Sequence, residues 1–162
     1  MTNELLNYKR ILVVDDEPDV LETVEEILDM CDVVKASTFD EAKAFLEREY
    51  FDIAILDIMG VDGYGLLEIA KRREITSVML TAHALSPEDT EKSYKLGAAS
   101  YVPKEKVSDI ITYLNDILEA KEQGKSTWSR WLTRFSDYYN KKFGPRWKEK
   151  TKALMDGIGG WE

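Results

Sequence analysis

The chain has 162 residues, 44% hydrophobic and 33% charged, with a net charge of −9, the profile of a globular domain with an appendage rather than a disordered or fibrous chain. No apolar run has the length of a membrane span, and the opening MTNELLNYKR has no signal-peptide core. One cysteine, Cys31, allows no internal disulfide, and one cysteine with one histidine is a poor basis for a zinc site, so a reducing cytoplasm is the expected location.

The net charge is unevenly spread. Residues 1–123 hold 13 Lys+Arg and 27 Asp+Glu (13 − 27 = −14), and residues 124–162 hold 9 and 4 (9 − 4 = +5). An acidic body, 1–123, is therefore expected to carry a basic, aromatic extension, 124–162, with Gly124 at the boundary.

In chain order, Arg10–Asp15 (RILVVD) reads as a short buried strand ending in acid. Pro18 suits a first helical turn, and Val20, Val24, Ile27 and Leu28 give that helix a stripe to about Met30. Val33-Val34 is a second strand. Thr38 and Glu41 have capping-box spacing ahead of the stripe Phe39, Ala42, Phe45 and Leu46. The run Ile53-Ala54-Ile55-Leu56 suits a strand buried on both faces, and it stops at Asp57 before a tight loop marked by Gly60, Asp62 and Gly63. Tyr64–Arg73 is a helix, Ile75–Leu80 a fourth strand ending at Thr81, and Ser86-Pro87-Glu88-Asp89 a helix start that Gly97 stops. Ser100–Val102 is a fifth strand, followed by Pro103-Lys104. Val107, Ile110, Ile111, Leu114, Ile117 and Leu118 mark an amphipathic helix running to Gly124.

Five βα units imply a parallel sheet with helices on both faces. Right-handed crossovers put every strand's C-terminal end on one edge, which collects Asp15, Asp16, Asp57, Thr81 and Lys104. Three carboxylates at one place repel, and a divalent cation relieves the repulsion; Mg²⁺ binds through one or two carboxylates plus a phosphate. Thr81 adds a hydroxyl and Lys104 a point charge suited to a phosphate oxygen. An Asp can serve as nucleophile and form an aspartyl-phosphate. The plainer alternatives are that Asp15 and Asp16 cap a helix, that Asp57 is a loop acid, and that Thr81 and Lys104 are ordinary strand-end and surface residues.

Taken together, ILVVDDEPDV, LDIMGVDG, MLTAHA and GAASYVPKE, in that order and spacing, resemble the receiver domain of two-component response regulators, of the chemotaxis-regulator kind, over roughly residues 9–123. The resemblance implies a flavodoxin-like, doubly wound five-stranded parallel sheet of strand order 2-1-3-4-5. It implies that Asp57 accepts a phosphoryl group from a histidine kinase or phosphotransfer protein in a reaction needing Mg²⁺ (or Mn²⁺). Asp16 and Asp57 would bind the metal directly, Asp15 through water, and the Met59 carbonyl as a further ligand. Thr81 and Lys104 would meet the phosphoryl oxygens. Tyr101 would be the switch aromatic, turning inward as Thr81 moves to the phosphate, with the fourth helix, fifth strand and fifth helix as the response surface. Such a protein is a signalling phosphoacceptor that catalyses only its own phosphorylation and dephosphorylation.

The sequence departs from the family pattern in two places. Asp57 reaches Asp62-Gly63 with two fewer residues than usual and without a Pro, and Lys104 is followed by Glu105 where the family usually has Pro. His83, two past Thr81, stands where the family tunes the lifetime of the phosphoryl group, although a solvated loop residue is the plainer reading. An aromatic at Tyr101 also has an ordinary packing role open to it, and Cys31 reads as a half-buried residue at a helix end.

In the extension, Trp128, Trp131, Leu132, Phe135, Tyr139 and Phe143 form one apolar stripe at helical spacing, started by Ser126 or Thr127 and ended by Gly144-Pro145. Arg146–Met155 suggests a second short helix with Trp147, Leu154 and Met155 on one side, and Gly157–Gly160 is expected to fray. Thirty-nine residues cannot bury so many aromatics among themselves. The first option is packing on the chain's own receiver; then a homodimer, a partner-binding helix and a basic helix on a membrane. DNA binding comes last, because neither a helix-turn-helix nor a zinc pattern is recognisable. Output is therefore expected through an unknown downstream protein, without nucleic acid or membrane. Two rival functions are a phosphate-independent adaptor acting through the tail, opposed by the intact acid cluster, and a metal-dependent aspartyl phosphatase, which needs a second Asp where Met59 stands.

Overall fold

A computed structural model describes residues 4–82 and 86–159. Five strands, β1 (Arg10–Val14), β2 (Asp32–Ala36), β3 (Ile53–Asp57), β4 (Thr76–Thr81) and β5 (Ser100–Pro103), form one sheet in the order β2-β1-β3-β4-β5. Every pairing is parallel. The central strands β1 and β3 are apolar and almost wholly buried because helices cover both sheet faces. Those helices are α1 (Pro18–Ile27), α2 (Phe39–Arg48), α3 (Gly63–Arg72), α4 (Pro87–Lys95) and α5 (Ile110–Glu122). The fold is the doubly wound α/β arrangement expected from the βα repeat.

The helix ends show how local chemistry sets the boundaries. Thr38 accepts a hydrogen bond from the Glu41 N–H at the start of α2, and the Glu41 carboxylate accepts from the Ser37 N–H at 2.9 Å. Helix α1 stops at Ile27, three residues before the expected end, and the Met30 carbonyl accepts the N–H of Tyr8 instead. Gly97 and Gly124, both at positive φ, close α4 and α5. In each case the glycine N–H bonds a carbonyl three back and the next N–H reaches five back, a turn that needs left-handed backbone. Val107, expected in the last receiver helix, lies in a 3₁₀ segment (Lys104–Asp109) ahead of α5.

Beyond Gly124, α6 (Thr127–Phe143) starts at Ser126, whose hydroxyl accepts the Trp128 N–H. The second tail helix is not the single one expected over Arg146–Met155. A 3₁₀ segment (Pro145–Lys150) and α7 (Lys152–Gly159) are separated by Thr151, and the helix persists through most of the stretch expected to fray. The break has a long-range cause: the Glu91 carboxylate of α4 accepts the N–H groups of Ala153 and Leu154, fixing the start of α7.

The tail lies on α4, β5 and α5. Trp128, Trp131, Phe135 and Tyr139 are buried, with Leu132 and Phe143 partly buried against the same core. Arg134 makes a two-pronged ion pair with Asp116 of α5, at 2.7 and 3.0 Å, and Arg130 pairs with Glu119 at 2.9 Å.

Candidate functional site

The parallel register fixes the site. Asp57 lies beside Leu80 across β3–β4, so Thr81 is one step past it, and Thr81 lies beside Pro103 across β4–β5, one residue before Lys104. Val14 lies beside Leu56, which leaves Asp15 and Asp16 leaving β1 beside Asp57. The five residues of the sequence edge therefore come together.

Asp15, Asp16 and Asp57 have carboxylate oxygens within 4.8 Å of one another. Asp15 and Asp57 are buried and Asp16 is exposed, so the cluster has a dry floor and a wet mouth. The Lys104 ammonium enters it, 2.8 Å from Asp15 Oδ2 and 3.3 Å from Asp57 Oδ1. Glu17 holds the same ammonium from outside at 2.7 Å, and its own N–H donates to Asp15 Oδ1 at 2.9 Å. Burial raises the pKa of Asp15, and the charge of Asp57 adds to the rise, while Lys104 and the Glu17 N–H pull it down. Burial works against the charge on Lys104, but its bonds to Asp15 and Glu17, with the fields of Asp15 and Asp57, raise its pKa above the ordinary lysine value.

Gly60 is the residue of the β3–α3 loop that comes against the acids. Its N–H donates to Asp57 Oδ2 at 3.0 Å, and a Cβ there would stand 2.2 Å from Asp16 Oδ1 and 2.5 Å from Asp57 Oδ2. The Met59 side chain points to solvent, 85% exposed. The shortened loop closes through Asp62, in left-handed backbone, which caps α3 by accepting the Gly65 N–H. The Lys104–Glu105 peptide is trans. His83 lies outside the described residues.

Thr81 is 5% exposed and Tyr101 fully buried. The Tyr101 hydroxyl makes no well-aligned hydrogen bond among the described residues, yet Thr81 and the Ser86 backbone are its polar neighbours. The ring is thus turned toward the Thr81 end of β4. Burial raises its pKa above that of an ordinary tyrosine, and Asp89 and Tyr64 add to the rise.

Residues 11–115 match the profile of the response regulator receiver domain. The chain belongs to the response regulator receiver domain family. Among curated relatives, a probable transcriptional regulator, ycf27, of Cyanophora paradoxa is 38% identical over 104 residues, 61% of this chain and 43% of that protein. A heme response regulator, HssR, of Staphylococcus saprophyticus is 37% identical over 99 residues, 57% of this chain and 43% of that protein. The chain thus spans under half the length of these relatives. Among solved structures, a CheY-like response regulator receiver domain protein of Methanospirillum hungatei superposes with a TM-score of 0.65 at 32% identity, covering 73% of this chain and 99% of that one. Receiver domains bind Mg²⁺ at an acidic pocket and interact with histidine kinases or phosphotransfer proteins, and the Asp cluster is such a pocket. The donor set fits the ion: all oxygen, two members buried, and a glycine where a side chain would fill the space between Asp16 and Asp57.

Three residues of the site escaped the sequence reading. Glu17 is visible only as one more acid after the Asp pair, and Gly60 only as a turn former. Glu105 stands out in the sequence only for the proline it replaces. Here it accepts a hydrogen bond from the Tyr138 hydroxyl of the tail, a contact no local pattern signals.

Proposed function

We propose that the chain is a phosphorylation switch in which Asp57 accepts a phosphoryl group from a histidine kinase or phosphotransfer protein. The observation that carries this is the Asp57 carboxylate at the end of β3, 3.3 Å from the Lys104 ammonium and beside two further acids. A carboxylate oxygen of Asp57 attacks phosphorus, and the bond from phosphorus to the donor's imidazole nitrogen breaks, its electron pair leaving with the imidazole. The product is an acyl phosphate. Lys104 faces the incoming oxygens as a fixed positive charge, and the Gly60 N–H holds the second carboxylate oxygen in place. The Thr81 hydroxyl is a further donor from the end of β4. Mg²⁺ or Mn²⁺, held by Asp16 and Asp57, by Asp15 through water and by the Met59 carbonyl, would supply the charge neutralisation that lets an anionic phosphoryl group approach three acids. On this reading the chain is not an enzyme acting on other substrates.

Two curated relatives carry the names transcriptional regulator and response regulator, and both are more than twice as long as the shared stretch. For this chain we read the output as protein contacts, because residues 127–159 are helices laid on the receiver. A cytoplasmic location is part of the same reading; no helix among the described residues is long and apolar enough to cross a membrane. The test is incubation with acetyl phosphate and Mg²⁺ followed by intact-mass measurement. One phosphoryl adduct is expected, lost in Asp57→Asn and in chelator. A Mg²⁺-dependent stoichiometric adduct on Asp57→Asn would sink the assignment.

A further inference from the structure

The face made by α4, β5 and α5 is occupied by the chain's own tail, and the tail is bonded to β5 and to the turn before it. Trp131 Nε1–H donates to the Tyr101 carbonyl at 2.9 Å, and Trp128 Nε1–H to the Ala98 carbonyl at 2.8 Å. Thr90 spends its hydroxyl proton on the Ser86 carbonyl at 2.9 Å, so the Tyr139 hydroxyl bonded to it is the donor. Tyr138 donates to Glu105, the residue after Lys104. The tail thus holds β5 through Tyr101, the start of α4 through Thr90, and the Lys104 loop through Glu105.

The packing also gives the sign of any coupling. The Trp131 and Tyr139 rings lie 5.1 Å apart on centroids, edge to face, and Tyr101, whose carbonyl accepts from Trp131, has no exposed surface. A Tyr101 ring swung outward from β5 would meet the tail packed on that strand. With the tail docked the ring stays turned toward Thr81. A phosphoryl group on Asp57 offers its oxygens to the Thr81 hydroxyl and the Lys104 ammonium. Movement of Thr81 toward those oxygens gives the Tyr101 hydroxyl more room and asks nothing of the tail to give way.

We propose that docking of residues 127–143 and phosphorylation of Asp57 are linked with positive sign: the phosphoryl group tightens the tail, and the docked tail favours the phosphorylated receiver. This rests on the phosphoacceptor reading of Asp57. Linkage makes the two effects reciprocal, so each can be measured. The free surface of a phosphorylated receiver is then the outer side of α6 and not the face beneath it.

The test is hydrogen exchange of the full chain with and without acetyl phosphate and Mg²⁺, with intact mass taken on the same samples. Amides of residues 127–143 should exchange at least about fivefold more slowly in the phosphorylated chain, the lower end of usual coupling between sites. A full adduct with unchanged or faster tail exchange overturns the linkage and leaves the phosphoacceptor reading standing. No adduct overturns both. Slower exchange in Asp57→Asn on adding acetyl phosphate would also overturn it, because the effect would not pass through Asp57. Tyr139→Phe keeps the ring and removes the bond to Thr90. It should loosen the tail and lower the phosphorylated fraction severalfold at limiting acetyl phosphate. A loosened tail with an unchanged fraction contradicts the proposal.

Discussion

Lys104 and Asp15 meet at 2.8 Å, with the Asp15 side chain wholly removed from solvent and the lysine only 13% exposed. Each charge is costly to bury alone, and each makes the other tolerable. Their pairing holds an ammonium at the mouth of an acidic pocket before any phosphoryl group arrives. Lys104→Met should therefore slow adduct formation on Asp57 by about 10²-fold, the usual cost of removing one fixed charge-stabilising donor. A time course of intact mass in acetyl phosphate checks it. A rate within about threefold of the parent would remove Lys104 from the transfer step.

Gly60→Ala separates the site from the fold. The atoms its Cβ would strike belong to the carboxylates of the exposed Asp16 and of Asp57, not to the backbone. Thermal stability should change by less than about 1 kcal/mol. The Mg²⁺ concentration that gives half-maximal adduct formation should rise by about tenfold, the low end for a disturbed metal shell. Titration of the rate against Mg²⁺, beside a melting curve, tests both halves.

The start of α7 rests on one side chain. Glu91→Ala removes the acceptor for the Ala153 and Leu154 N–H groups, a loss of about 1 kcal/mol, as for other helix caps. Exchange protection should fall across residues 153–159 and stay unchanged in β1 and β3. Uniform loss of protection over the whole chain would mean that α7 does not unfold separately.

Cys31 is a pH prediction. Burial first, then the charges of Asp29 and Asp52, push its thiol from 9.0 up to about 11, and the thiol donates to the Leu6 carbonyl at 3.3 Å. Alkylation of the native chain should stay slow through pH 9 and climb only toward pH 11, whereas in denaturant it should climb near pH 9. The folded state holds this proton more tightly than the unfolded one. The group's contribution to stability is therefore intact below the unfolded value and lost as pH rises through the folded one. A native rate profile with its midpoint near the unfolded value would contradict the buried placement.

The sheet and the pocket were legible because each depends on local signals summed over a repeating unit. An apolar run that stops at Asp57, Thr81 or Lys104 places that residue at the strand end, and parallel topology brings all the ends to one edge. What could not be read were the features set by distant partners. The Met30 carbonyl, past the end of α1, is taken by the distant Tyr8 N–H, and α7 begins at Lys152 where Glu91, 62 residues from Ala153, caps it. The aromatic stripe announced a buried face, but its seat was one option among five. Complementary charge favours the receiver, yet the bonds from Trp131 to Tyr101 and from Tyr138 to Glu105 are long-range and leave no trace in spacing.

All four tryptophans of the sequence, Trp128, Trp131, Trp147 and Trp161, stand after Gly124. The receiver body therefore contributes no indole emission of its own. Trp128 and Trp131 give their ring protons to carbonyls of the receiver, and Trp147 gives its proton to Asn140 within the tail. The tryptophan fluorescence of the unmodified chain, excited at the red edge where tyrosine does not absorb, is consequently a reporter of the tail. Its wavelength and quenching by iodide follow the seating of that segment without any attached dye, while the phosphoacceptor pocket itself stays optically silent.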